Sequence, residues 1–384
     1  MPEKQKLYTA GTYARHFLNK EYEYKSFVPA PVNQMHQWQD PRIPVLLEEA
    51  IRLVGELNAY SVLVPDVDFF IQMHVRNEAV QSSRIEGTRT GMEEAVLPEE
   101  EIAPEKRDDW AEVQNYIKAM NHSITRLEKL PVCMRLLQEA HALLLTGVRG
   151  EHKQPGEVRT SQNWIGGTTI QTASFIPPHP DLLPEALKDL ELLWHNKALQ
   201  MPQLIRIAIS HYQFETLHPF HDGNGRIGRM LIALHLLEMG ILRKPTLYLS
   251  DFFERNKGKY YDALTFVRER NDMDQWILFF LSAVIETATK GKDTFERIID
   301  LRARYERQIM TMGRRAKPAH ALLLHLFSHP AVRVADVARH LRISNSAANT
   351  LVNDLAGKGI LTEITGFSRN RMFMLQEYVG LFKR

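Results

Sequence analysis

The stretch HPFHDGNGRIGR, His218–Arg229, sets two imidazoles, a carboxylate, three glycines and two guanidiniums within twelve residues. Its segment Gly223-Asn224-Gly225-Arg226-Ile227-Gly228 fits the dinucleotide pattern G-x-G-x-x-G. That pattern needs a hydrophobic strand before it and a second strand carrying an acid about 20 residues later. Here the preceding residues, IRIAISHYQFETLHPFHD, read as a helix, and no strand rhythm follows. A Walker A loop is excluded as well, because no Gly-Lys-Ser/Thr follows the glycines.

The chemistry on offer is still that of an oxyanion site. Gly223, Asn224 and Gly225 let backbone N–H groups approach a ligand, and a helix starts directly after them. Arg226 and Arg229 stand at i and i+3 in the first turn, where the helix dipole disfavours cations, so an anion is expected between them. Asp222 is a hard oxygen ligand suited to Mg²⁺ that also touches phosphates. His218 is the group able to accept a proton near neutral pH. The same residues also fit a capped helix start with a surface histidine and arginines paired to distant acids.

The elements that must hold this stretch are helical. LLEEAIRLVGELNAY has apolar residues at i, i+3, i+4 and i+7, and a second helix is expected from Pro65 and Asp66 to Gly87. Further helices are expected at about 108–127, 132–147, 181–198 and 201–216. After the motif, RIGRMLIALHLLEMG is apolar on nearly every side, the mark of a buried helix. Between residues 147 and 180 the texture is Gly-, Pro- and polar-rich, and the alternation Thr168–Phe175 suggests a small hairpin. Residues 1–42 show no period and read as an extended arm on the body, disordered at its start. From about Lys317 the order helix, short helix, turn, helix with Ser344 as N-cap, and closing hairpin is that of a winged helix-turn-helix. The fold class is therefore mainly α, with domains expected at 1–107, 108–300 and 316–384.

With 384 residues, 44% of them hydrophobic and 24% charged, the chain is an ordinary globular one with a core of its own. A net charge of +2 points to no polyanion partner. The single cysteine, Cys133, reads as a core thiol and suits a reducing cytoplasm. No secretory or membrane-spanning segment is legible.

The stretch also carries H-P-F-x-D-G-N-G-R-x-x-R, and in this it resembles the Fic-domain family. The likeness extends over GVRGEHKQPGEVRTSQNWIGG upstream and YLSDFFERNKGKYYDALTFVRERN downstream. It implies a small helical bundle that binds ATP with Mg²⁺ and transfers AMP to a Ser, Thr or Tyr hydroxyl of a target protein, releasing pyrophosphate. His218 would be the general base and Asp222 the metal ligand. Gly223, Asn224, Gly225, Ile227 and Gly228 would form the ATP-binding loop, with Arg226 and Arg229 on the outer phosphates. Asn256 and Tyr261 resemble residues lining the adenine pocket, and TTIQTASFI resembles the flap that pairs with the target segment. Gly225, where phosphate-transferring relatives carry lysine, favours nucleotidyl transfer. A homodimer is expected by the same analogy.

SSRIEG, Ser82–Gly87, resembles the family's inhibitory motif. Ser82 and Glu86 share a helix face, and Glu86 paired to Arg229 would occupy the cation a γ-phosphate needs. Two rival readings remain at this level: a nucleotide-sensing DNA-binding regulator, and a Fic enzyme that removes AMP or moves another phosphate-linked group. The expected recognition helix carries Asn345, Asn349 and Asn353 but few cations, so protein docking stands beside DNA binding as its role.

Overall fold

The computed structural model describes residues 9–383 except 19, 22, 64–66 and 368. Pro65 and Asp66, and the first eight residues expected to be disordered, lie outside the described residues. The chain begins with a hairpin, β1 (Gly11–His16) and β2 (Tyr24–Pro29), in antiparallel register from Gly11 against Pro29 to His16 against Tyr24. The helices α1 (Arg42–Leu63), α2 (Val67–Ile85), the short α3 (Met92–Ala95), α4 (Arg107–Arg126) and α5 (Met134–Leu144) follow. After a long loop come α6 (Leu183–His195), α7 (Gln203–Leu217), α8 (Asn224–Glu238), α9 (Ser250–Arg255), α10 (Lys257–Arg270) and the long α11 (Met273–Met310). The C-terminal region holds α12 (Ala316–Ser328), β3 (Ala331–Arg333), α13 (Val334–Leu341), α14 (Asn345–Gly357), β4 (Thr362–Glu363), β5 (Met372–Met374) and α15 (Gln376–Gly380).

The helix pair α7–α8 is the centre. Every residue of α7 from Leu204 to Leu217 is buried, polar ones included, as is α8 from Arg226 to Leu236, in keeping with the nearly all-round apolar pattern of α8. Around the pair stand α2, α4, α5, α6 and α11, and α1 runs along α11. Helix α9 stops at Asn256, whose Nδ2 donates to the Phe252 carbonyl at 3.0 Å, a local bond that competes with helix continuation. Among the described residues no helix is long and apolar enough to cross a membrane.

Two segments differ from expectation. The arm forms the β1–β2 hairpin and is tied down by side-chain acceptors far along the chain: Val32 N–H donates to Asp189 at 2.6 Å and Ala10 N–H to Asn271 at 2.8 Å. The expected flap hairpin is a loop closed by a single antiparallel bridge, Ile165 with Phe175. Inside it, the Thr172 hydroxyl accepts from the amides of Thr168 and Thr169 at 3.2 and 3.1 Å, and a 3₁₀ turn over Ile170–Thr172 results. These short-range bonds take the place of a ladder, so alternation alone misleads here.

In the C-terminal region the sheet order is β3-β5-β4, antiparallel throughout. The turn between α13 and α14 passes through Arg342 at φ 54°, and the Ser344 hydroxyl caps α14 by accepting from Ala347 N–H. This region does not hang free. Phe70 of α2 packs edge-on to Phe327 at 5.0 Å between ring centres, and Phe327 meets Tyr378 at 5.0 Å. His74, one turn further along α2, stacks on Phe295 at 4.9 Å and meets Phe382 at 5.1 Å. One continuous apolar core therefore runs from Ala10 to Phe382.

Phe70 is fully buried at this junction, so Phe70→Ala is expected to cost about 3–5 kcal/mol of unfolding free energy. Chemical denaturation measures it. A loss under about 1 kcal/mol would mean that the C-terminal region is not welded to α2 through this ring.

Candidate active site

The motif loop is built by three local devices. Helix α7 ends when His218 enters the left-handed region at φ 48°, ψ 60°, its N–H still bonded to the Phe214 carbonyl. Asn224 then closes the loop on itself: its Oδ1 accepts from Phe220 N–H and its Nδ2 donates to Phe220 C=O, both at 2.8 Å. Gly223, at φ 73°, makes the entry to α8, a conformation that costs any residue with a Cβ. The first intrahelical bond runs from Ile227 N–H to Gly223 C=O, so the amides of residues 224–226 lie ahead of the ladder and face outward as an anion site.

Asp222, His218 and both arginines converge on this end of α8. Asp222 Oδ1 accepts from Gly223 N–H at 2.5 Å and stands 3.5 Å from Arg226 Nη2. Arg226 donates from Nη1 to Glu112 Oε2 at 3.2 Å, and Glu112 Oε1 in turn accepts from Arg149 Nε at 2.8 Å. Arg229 is 3% exposed. Its Nη2 donates to Glu86 Oε1 at 2.6 Å and to the Ser82 carbonyl at 2.9 Å, while its Nε donates to Ser82 Oγ at 2.9 Å. Ser82 and Glu86, singled out in sequence, thus meet Arg229 on one guanidinium.

Two glycines are explained by the carboxylates around them. A Cβ at Gly225 would fall on Glu86 Oε1, and one at Gly228 would fall on Glu215 Oε1. The bare backbone at 225 is what admits Glu86 to Arg229. Ile227 is fully buried and anchors α8. Tyr261 is half-exposed, its hydroxyl pushed up to about 12 by burial and then by the Glu86 charge, so it borders the same pair. Asn256 donates its amide N–H to Phe252, at the α9–α10 break.

The electrostatics follow from this packing. Burial opposes a charged Glu86, but the Arg229 guanidinium, with Arg226 and His218, outweighs it and holds the carboxyl below its usual range. His218 is lowered to about 4 by desolvation and then by the charge of Arg159, so its imidazole is neutral and proton-accepting at neutral pH. Two further carboxyls are pushed up to about 7 by burial: Glu215, one turn before His218, and Glu78, one turn before Ser82. Glu78 accepts from Ser250 Oγ at 2.5 Å and Tyr116 Oη at 3.0 Å, which ties α2 to α9 and α4.

Sequence reasoning missed several residues that hold the loop. His141, which reads as a core histidine on an apolar helix, stacks on Phe220 at 3.9 Å. It accepts from Gly156 N–H at Nδ1 (2.8 Å), which leaves Nε2–H to donate to the Asp222 carbonyl at 2.9 Å. Glu112 sits in DDWAEV, where nothing in the sequence separates it from the exposed acids beside it. Arg159 and Asn163 reach the carbonyls of the motif itself. Beside His221 lies an open pocket of about 540 Å³ lined also by Lys153, Ser161, Asn163 and Trp164.

The sequence profile of the Fic/DOC family matches residues 131–236, and that of the Fic/DOC family N-terminal region matches 45–125. Residues 131–236 thus match a Fic domain. The solved structure of a Fic family protein from Desulfovibrio desulfuricans G20 is similar in fold, with a TM-score of 0.56 and 21% identity, covering 89% of this chain and 98% of that one. Over 149 residues, 38% of this chain and 26% of the other, the chain is 28% identical to the protein adenylyltransferase fic-1 of Caenorhabditis elegans. Over 92 residues, 24% of this chain and 26% of the other, it is 35% identical to a probable protein adenylyltransferase of Aquifex aeolicus. The matched part thus spans about a quarter of the length of these curated relatives. The loop and its arginines lie in the segment matched by the Fic/DOC profile, and α2 with Glu86 lies in the segment matched by the N-terminal profile.

Glu78 gives a pH test of the α2 packing. Its folded pKa of about 7 exceeds the ordinary 4.5, so the folded state holds the extra proton and stability falls as pH climbs through that window. Glu78→Gln keeps an acceptor for Tyr116 and Ser250 but removes this loss. Its thermal midpoint is expected to gain on the parent between pH 5 and pH 8. A difference that does not change with pH would reject the buried, titrating Glu78.

Proposed function

We propose that this chain is an auto-inhibited protein adenylyltransferase, moving AMP from ATP to a Ser, Thr or Tyr hydroxyl of a target protein, itself included. The reading rests on one observation above the rest. A neutral imidazole, a carboxylate, a run of free amides and two guanidiniums meet at the start of α8, and a carboxylate from α2 occupies the inner guanidinium.

In this reading His218 accepts the hydroxyl proton while the target oxygen attacks the α-phosphorus in line. The bond to the β-phosphate oxygen breaks, pyrophosphate leaves, and AMP remains on the target oxygen. The amides of 224–226 with Arg226 and Arg229 hold the phosphates and meet the charge that develops on the leaving group. Neutrality of His218 at rest matters, since a protonated imidazole could not serve as the base.

The donor set fits a magnesium ion shared with the nucleotide. Among the described residues no three His, Cys, Asp or Glu side chains form a metal cage, whereas Asp222 offers one half-exposed hard carboxylate beside the anion site. Mg²⁺ typically takes one or two carboxylates and completes its shell with water and phosphate oxygens. Bound there, it would neutralise phosphate charge.

The inhibition is competition for Arg229. Glu86 supplies the carboxylate this buried cation needs, and a γ-phosphate would have to displace it. We further assign 1–107 to the inhibitory region, 108–300 to the catalytic core and 316–384 to a winged-helix unit. In that unit Arg371 donates to Asn349 and Asn353 of α14, both at 2.9 Å, so its fork is partly engaged on the very helix that would read a duplex. This favours a docking role over DNA reading.

Glu86→Gly is expected to raise self-labelling by α-labelled ATP at least tenfold, and His218→Ala in that background to abolish labelling while ATP still binds by calorimetry. Equal labelling of parent and Glu86→Gly would reject the brake. Labelling that survives His218→Ala would remove the histidine from the base role.

A further inference from the structure

Arg159 lies in the loop between α5 and α6, is 2% exposed, and has an unusual set of partners. Among the described residues they are all carbonyl oxygens. Its Nε donates to His218 C=O at 2.9 Å, Nη2 to Pro178 C=O at 2.7 Å and to Leu217 C=O at 3.3 Å, and Nη1 to Ser161 C=O at 3.2 Å. Its own backbone N–H donates to Pro219 C=O at 2.9 Å. The carbonyls of three successive residues, 217–219, are thus gripped by one arginine at the point where α7 stops and the chain turns left-handed. Asn163 adds a second donor to His218 C=O at 3.3 Å and one to Phe220 C=O at 2.9 Å.

We propose that Arg159 is the positioning residue for His218, fixing the backbone from which the imidazole reaches and presenting an unneutralised cation behind it. Its catalytic meaning rests on the adenylyl-transfer reading given above. A left-handed turn at a residue with a Cβ is unfavourable on its own and persists only when its surroundings hold it. The three gripped carbonyls supply that hold. A purely structural pin would not need the charge, because burying a guanidinium without a carboxylate carries a desolvation penalty that dipoles offset only in part. The location of the charge is informative: it lies beside the imidazole and opposes its protonation, second only to desolvation. The guanidinium itself stays charged, since burial lowers it only to about 10. The same side chain spans from the motif to Ser161 and Pro178, on either side of the loop bridged by Ile165 and Phe175, and so also sets the distance between base and flap.

The test uses the full-length Glu86→Gly protein as parent, with Arg159→Lys, Arg159→Met and Asn163→Ala added singly. Initial rates of self-labelling are measured against ATP concentration, ATP affinity is measured by calorimetry, and the His218 imidazole signal is followed by NMR, assigned with His218→Ala. A misplacement of about 1 Å at a reacting group costs up to about 10²-fold in rate. Arg159→Met should lose about that much in kcat, Arg159→Lys about tenfold and Asn163→Ala about threefold, with KM and Kd for ATP within about threefold of the parent. Arg159→Met should also let His218 titrate nearer to the ordinary imidazole range. Retention of the parent kcat, or a fall in ATP affinity in proportion to rate, would overturn the proposal. If Arg159→Met does not fold, Arg159→Lys and Asn163→Ala carry the same decision. If the parent itself transfers nothing, the adenylyl-transfer reading fails, and an unmoved His218 signal in Arg159→Met would separately overturn the role of Arg159.

Discussion

The guanidinium of Arg229 is nearly sealed from water and has the Glu86 carboxylate beside it. Breaking a buried pair by removing one partner costs about 3–5 kcal/mol, because the remaining charge is left uncompensated. The position of Glu86 is therefore not a surface accident but a requirement of the resting fold. Any state in which α2 withdraws must bring another anion to the same place. A phosphate group is the chemistry that fits the guanidinium and the outward amides of α8 together. The pair is in this sense a single seat with two admissible occupants. The missing Cβ at Gly225 keeps that seat wide enough for the carboxylate.

Helix α2 then has to satisfy two demands at once. One face presents Glu78, Ser82 and Glu86 at successive turns toward α4, α9 and Arg229. Earlier turns present Phe70 and His74 to the aromatic cluster of the C-terminal region. Beyond the helix, Glu93 holds both Gln376 and Lys383, and Glu101 holds Arg333 at 2.7 Å. Helix α2 and the segment after it are thus gripped on both flanks by residues from the far end of the chain. A shift of α12 or α15 would act on α2 through packed rings, and rings in a dense core move as units rather than deform.

The motif was legible because its chemistry is contiguous: residues 218–229 carry base, carboxylate, amides and cations in one run. The contact of Ser82 and Glu86 with Arg229 was legible only in combination, since two residues at i and i+4 mean little until Arg229 is known to need a partner. Glu112, Arg149, His141 and Arg159 were not legible. Their partners lie far along the chain, and those of Arg159 are backbone carbonyls, which leave no trace in side-chain types. The helices were called within a few residues because their apolar period is strong. The arm was not, because β1 and β2 bury residues without strict alternation. The flap erred in the opposite direction: Thr168–Phe175 alternates, yet the Thr172 hydroxyl accepts from the amides of Thr168 and Thr169 instead of leaving them to a ladder.

Three arginines are buried around one loop, and each is stabilised differently. Arg229 is matched by a carboxylate from a helix that could withdraw. Arg226 is held by Glu112 and stands 3.5 Å from Asp222, while Arg149 shares Glu112 and also pairs with Asp109. Among the described residues the partners of Arg159 are carbonyl oxygens, so no carboxylate offsets its charge. In the proposed reading Arg229 exchanges one anion for another, Arg226 is held in place beside the Asp222 carboxylate, and Arg159 keeps its field next to the imidazole that would act as base. A fold built for packing alone would have given all three a carboxylate; the one left to carbonyls, beside His218, is what sets this end of α8 apart.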